Sequence, residues 1–174
     1  MLLAGMLDEP LPLLQALAEP NGDDIARRRL ALAGVALGEV AGERFQDDAA
    51  LCRMRDEITT QAIDWWREQR PNGTEALAGY VARSLPTLAR RTGRYEGKTL
   101  LDWIATGLAE DSADRNDGWD LPGHVRIATP PILEMLAERL RDPDVEVRAS
   151  ATPATLEALD RKSTRLNSSH LVIS

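Results

Sequence analysis

Ala49-Ala50-Leu51-Cys52-Arg53-Met54-Arg55-Asp56-Glu57-Ile58-Thr59-Thr60-Gln61-Ala62-Ile63-Asp64-Trp65-Trp66-Arg67-Glu68-Gln69 carries the clearest helical period in the chain. Leu51, Met54, Ile58, Ala62 (or Ile63) and Trp65 recur three or four residues apart, the spacing that puts side chains on one face of an α-helix. Asp47-Asp48 supplies the N-cap, and Pro71-Asn72-Gly73 stops the helix. A helix of this length needs partners for its apolar stripe, so the flanking segments are read for helices that cover it.

Upstream, Leu11 to Ala18 forms a short helix between Pro10-Leu11-Pro12 and a turn at Asn21-Gly22-Asp23-Asp24. A helix over 25–42 follows, with Ile25, Leu32, Val35 (or Ala36), Leu37 and Val40 on a broad stripe that Leu30 and Ala33 widen. Arg27-Arg28-Arg29, Glu39 and Glu43 take the other side. Gly34, Gly38 and Gly42 fall along one line of this helix. Their spacing permits close helix approach. The simpler reading, taken here, is that each weakens the helix by about 1 kcal/mol and that packing compensates.

Downstream, Thr74 caps a helix over 75–89 that places Leu77, Tyr80 (or Val81), Leu85 (or Ser84) and Leu88 inward. Pro86 kinks or shortens it. Residues 90–97 are a connector, and 98–110 is a further helix with Leu100, Leu101, Trp103, Ile104 and Leu108. The fold class expected is mainly α, a bundle of about five helices.

Past residue 110 the character changes. Residues 111–123 are Asp-rich, with turn signals at Asn116-Asp117-Gly118 and Leu121-Pro122-Gly123, and are read as an acidic linker between a helical domain (1–110) and a second unit (124–159). In that unit His124-Val125-Arg126-Ile127-Ala128 alternates like a strand, Thr129-Pro130-Pro131 opens a helix, Val145 to Ser150 alternates again, and Thr152-Pro153 opens another helix. This predicts a truncated βαβα unit. Asp142-Pro143-Asp144-Val145-Glu146-Val147-Arg148 also resembles the inter-helix turn of a HEAT repeat. On that rival reading Pro153 would lie inside a helix, at a cost of ~3 kcal/mol, which favours the α/β reading.

Residues Asp160-Arg161-Lys162-Ser163-Thr164-Arg165-Leu166-Asn167-Ser168-Ser169-His170 resemble, codon for codon, the translation of a short-read sequencing adapter. Leu171-Val172 stand where its sample index would lie, and Ile173-Ser174 where its constant sequence resumes. The resemblance implies that 160–174 is a non-native tail on a truncated metagenomic or similar fragment, to be left out of fold reasoning. His170 and Ser168-Ser169 then carry no chemistry.

The chain has 21 Lys+Arg against 28 Asp+Glu, a net charge of −7; the tail holds three of the basic and one of the acidic residues, which leaves −9 for the rest. Such a field opposes nucleic acid and anionic membranes. Before residue 160 the only lysine is Lys98, and the arginine bias points to GC-rich coding DNA. One cysteine, Cys52, allows neither an internal disulfide nor a cysteine zinc site, and fits a reducing cytoplasm. No apolar run reaches the ~20 residues that span a bilayer, and Met1 to Leu7 meets Asp8-Glu9 too soon for a signal peptide.

No catalytic set stands out: there is no phosphate loop, no G-x-S-x-G and no H-E-x-x-H. His124 at a strand start is read as an ordinary exposed histidine. The acidic loop fails the calcium pattern, since setting Gly118 as the sixth position puts Ala113 first and Arg115 third. No metal and no cofactor are expected. The candidate interaction surface is Trp66, Arg67 and Arg70 together with Arg90, Arg91 and Arg94, because Trp and Arg anchor protein interfaces. The leading function is protein–protein interaction or scaffolding, with another protein or a second copy as partner. An enzyme completed by a missing C-terminal part is the second reading, and a nucleic-acid-binding regulator the third. If 160–174 is adapter-derived, deleting it shifts the thermal unfolding midpoint by less than about 2 °C in a calorimetric scan.

Overall fold

The computed structural model describes residues 3–69 and 75–109, with eight positions between Glu134 and Arg148. Two compact units divide at Trp103–Ile104. In the first unit the helices are α1 (Leu11–Ala18), α2 (Arg28–Ala36), the single turn α3 (Arg44–Asp47), α4 (Ala49–Gln69), α5 (Glu75–Ala82) and α6 (Leu85–Arg90). Strands β1 (Arg94–Tyr95) and β2 (Lys98–Thr99) follow, and α7 (Leu100–Ala109) crosses the division. The mainly α expectation holds.

The centre is α4. Asp48 caps it, accepting the amides of Ala50 (2.8 Å) and Leu51 (3.0 Å). Its buried side is Leu51, Met54, Ile58, Thr59, Ala62, Ile63 and Trp66, against which α1, α2, α5, α6 and β1 pack. With Leu14, Leu30, Leu37, Val81, Leu85 and Leu88 these residues form the core. Each large apolar side chain so buried contributes about 1.5–3 kcal/mol.

The α2 helix starts later than its apolar pattern predicts, and two carboxylates are the reason. Asp24 Oδ1 accepts the amides of Ala26 and Arg28. Asp23, whose side chain is 1% exposed, accepts those of Asp24, Arg29 and Leu30. Acidic side chains thus take the donors that a helix beginning at Ile25 would have used. The intervening turn leaves Arg27 left-handed (φ 52). The turn leaves Ile25 out of the core at 77% exposure, and helical phase leaves Leu32 at 43%. The buried arc is Leu30, Ala33, Gly34, Ala36, Leu37 and Val40.

The helix expected over 75–89 is broken at Arg83–Ser84, and Pro86 sits in the first turn of α6, where its missing N–H costs nothing. The break lets α6 run close to α2. A Cβ on Gly34 would lie 2.5 Å from Ser84 Cβ, and one on Gly38 2.8 Å from Thr87 Cγ2. Close approach, rather than mere tolerance, accounts for these two glycines.

The connector expected over 90–97 contains half of an antiparallel hairpin, Arg94 opposite Thr99 and Tyr95 opposite Lys98. Glu96 (φ 50) and Gly97 (φ 78) turn it, with the two positive φ values that match the twist of paired strands. Thr99 then starts α7, its Oγ1 accepting the Asp102 amide and donating to Asp102 Oδ2.

In the second unit Glu134, Ala137 and Glu138 are helical, as expected. Val145 and Arg148 are helical too, where the alternating pattern predicts a strand. Arg148 Nη1 donates to the Pro143 carbonyl at 2.8 Å, and helix at Val145 and Arg148 is what the HEAT-like reading expects at these two positions. The acidic linker, the first strand with His124, the Thr152-Pro153 helix and residues 160–174 lie outside the described residues.

Two glycine substitutions separate these effects. Gly79 in α5 has open space where a Cβ would go, so Gly79→Ala raises stability by about 0.5–1 kcal/mol. Gly34→Ala lowers it by about 1–3 kcal/mol. Urea unfolding followed by circular dichroism reads both.

Candidate interaction surface

The structure does not gather the expected surface residues. Adjacent residues on a helix point about 100° apart, so only one of Trp65 and Trp66 faces the core squarely. That one is Trp66, 2% exposed, and it is thereby removed from the expected surface. Trp65, the one expected inward, is half-buried, and its Nε1 is enclosed without a hydrogen-bond partner among the described residues. Arg70 lies outside the described residues. Arg90 is exposed, with Nη2 3.4 Å from Thr87 Oγ1. Arg91 turns inward, donating to the Gly38 carbonyl at 2.6 Å and lying 6.0 Å from the Phe45 ring. Arg94 is exposed and is anchored through its backbone amide to Asp56 Oδ1 at 3.1 Å.

Arg67 belongs to a polar cluster that fastens the hairpin to α4. Tyr95 OH donates to Asp64 Oδ1 at 2.7 Å and accepts from Arg67 Nη1 at 3.2 Å. Arg67 also lies 4.0 Å from Glu96 Oε1, while Trp103 Nε1 donates to Glu96 Oε2 at 3.1 Å. The Trp103 and Tyr95 rings meet edge to face at 4.9 Å, a favoured aromatic arrangement. Two to three turns earlier on α4, Arg55 pairs with Asp56 at 2.8 Å and donates to the Arg91 carbonyl and Thr92 Oγ1. Thr59 packs so tightly on Gly93 that a Cβ there would fall 2.1 Å from its hydroxyl. Cys52 is half-buried and its thiol donates to the Phe45 carbonyl at 2.8 Å. These contacts hold the fold together; they form no nucleophile–base pair. Among the described residues no group of three His, Cys, Asp or Glu is placed to hold a metal ion, and no helix is long and apolar enough to cross a membrane.

A different face carries exposed apolar side chains. Arg28, Leu32 and Glu39 are exposed and Val35 is half-buried along the outer side of α2 and the turn that extends it. The Arg28 guanidinium lies 4.9 Å from the centre of the Tyr80 ring and 3.5 Å from the Asp24 carboxylate. Arg83 approaches the same ring at 5.4 Å. A guanidinium on an aromatic face is held by the ring quadrupole, so the tyrosine orders both arginines. Sequence reasoning assigned Leu32 and Ile25 to the core. The available signal was their phase: Leu30, Ala33 and Leu37 repeat on one side of the helix, Arg28, Leu32, Val35 and Glu39 on the other.

Comparison with protein families, with curated proteins and with solved structures returns no match.

Burial, and then the hydrogen bond to the Asp64 carboxylate, raise the Tyr95 phenol above its ordinary 10.0. A phenol harder to ionise when folded adds stability that is present below pH 10 and is lost as the pH climbs through the folded value. Tyr95→Phe therefore costs about 1 kcal/mol at neutral pH, and its stability declines less steeply above pH 10.0 than that of the parent chain. The tyrosinate absorbance that the substitution removes has its midpoint above 10.0.

Proposed function

We propose that the helical unit is a protein–protein interaction module and that it binds through the outer face of α2. The observation that supports this reading is the exposure of Leu32, at 43%, between the charged ends Arg28 and Glu39, with Ile25 exposed nearby at 77%. Apolar side chains left in water beside an ordered arginine have the make-up of an interface, where buried apolar anchors and arginine contribute most. Of the arginines read from the sequence as the surface, Arg67 and Arg91 are committed to internal contacts. The reading places the protein in the cytoplasm, in keeping with the free thiol of Cys52. It assigns the interaction to the part of the chain before the adapter-like residues 160–174.

A photo-crosslinking amino acid at position 32 tests it. A discrete crosslinked product is expected there, and none from the same group at Glu57, an exposed position on α4. Equal labelling at both positions, or no product at 32, would remove the support for this face.

A further inference from the structure

The charge pattern of this face names its partner. At about 100° per residue, positions 28, 32, 35 and 39 fall within roughly 60° of arc, opposite the buried 30, 33, 34 and 37. Along the axis Arg28 and Glu39 stand roughly 16 Å apart, with Leu32 and Val35 midway between them. The chain continues past Ala36 in tight turns, with Gly38 N bonded to Val35 O and Glu39 N to Ala36 O, so the line of the helix reaches Glu39.

We propose that this face pairs with the same face of a second copy of the chain, the two α2 helices antiparallel, Arg28 of each against the partner's Glu39. The proposal rests on the interaction reading above. A two-fold axis passing between Leu32 and Val35 carries 28 onto 39 and 32 onto 35, so unlike charges meet at both ends and apolar side chains meet at the centre. A closed symmetric dimer requires such a self-complementary patch. A parallel, in-register pair would instead set arginine on arginine and glutamate on glutamate. The ends agree as well. Gly5 packs on the Glu39 backbone, which puts Met6, 71% exposed, beside the acidic end. Ile25 lies at the basic end, so the two-fold brings Ile25 toward the partner's Met6. Asp24 and Tyr80 already order Arg28, so little side-chain freedom is lost on pairing. One helix face per subunit is a small interface, and a weak, reversible dimer follows.

Sedimentation velocity on the full 174-residue chain over a concentration series reads this directly. Arg28→Glu alone and Glu39→Arg alone are each expected to weaken the dimer roughly tenfold or more, and the two together to restore it to within a few-fold. Leu32→Glu keeps both original charges and is expected to abolish the dimer, with helical circular dichroism retained. A monomer at every concentration overturns the inference, as does a dimer indifferent to the single swaps or not rescued by the double swap. Crosslinking at position 32 separates the two levels. A product of twice the 19.1 kDa chain mass agrees with self-pairing. A product of any other mass keeps the interaction reading and overturns the second copy as its partner. No product overturns both.

Discussion

Burial of the inner side of α4 is the condition on which the other elements depend. Leu51, Ile58, Ile63 and Trp66 are closed off from water only because α1, α2, α5, α6 and the hairpin lie around them. None of the flanking helices exceeds ten residues, and helices that short are marginal alone in water. Their stability comes from covering the long one. This explains why the polar contacts concentrate on the flanks of α4: Arg55, Asp56, Asp64 and Arg67 each tie the hairpin region to it without entering the apolar centre.

The same dependence shapes the outer face of α2. The Asp23 and Asp24 carboxylates fix where the helix begins. Within the helix, phase decides the rest: at about 100° per residue Leu32 and Val35 lie opposite Leu30, Ala33 and Leu37. Leu30 and Leu37 go in while Leu32 stays out, and the turn before the helix leaves Ile25 exposed. Helical phase and the two acidic caps together thus leave the exposed apolar strip on which the functional proposal rests.

The parts of the fold legible in the sequence are those set by local rules. The α1 and α4 bounds agree with the expectation because proline, aspartate caps and an unbroken period mark them, and Pro86 announced the break before α6. The hairpin was hidden because each strand has two residues and Glu96-Gly97 is a weak form of the two-residue turn signal. The start of α2 was hidden because apolar periodicity does not record side-chain caps reaching six and seven residues ahead. In the second unit Val145 and Arg148 are helical although the alternating pattern around them predicts a strand. The roles of the tryptophan and arginine side chains were the least legible part. Tryptophan and arginine are equally at home in an interface and in a polar clasp, and Trp66, Arg67 and Arg91 are used in the second way or buried outright.

The crossing of α2 and α6 bears on how this sequence can change over time. Gly34 faces Ser84 and Gly38 faces Thr87 with no room for another methyl group on the glycine side. The sizes of the two partners are therefore set jointly. A larger residue at 34 is damaging while serine occupies 84 and becomes acceptable only after 84 shrinks, so the order of substitution decides whether a path is open. Descendants of this chain should show the two positions varying together, with the small residue free to trade sides across the crossing.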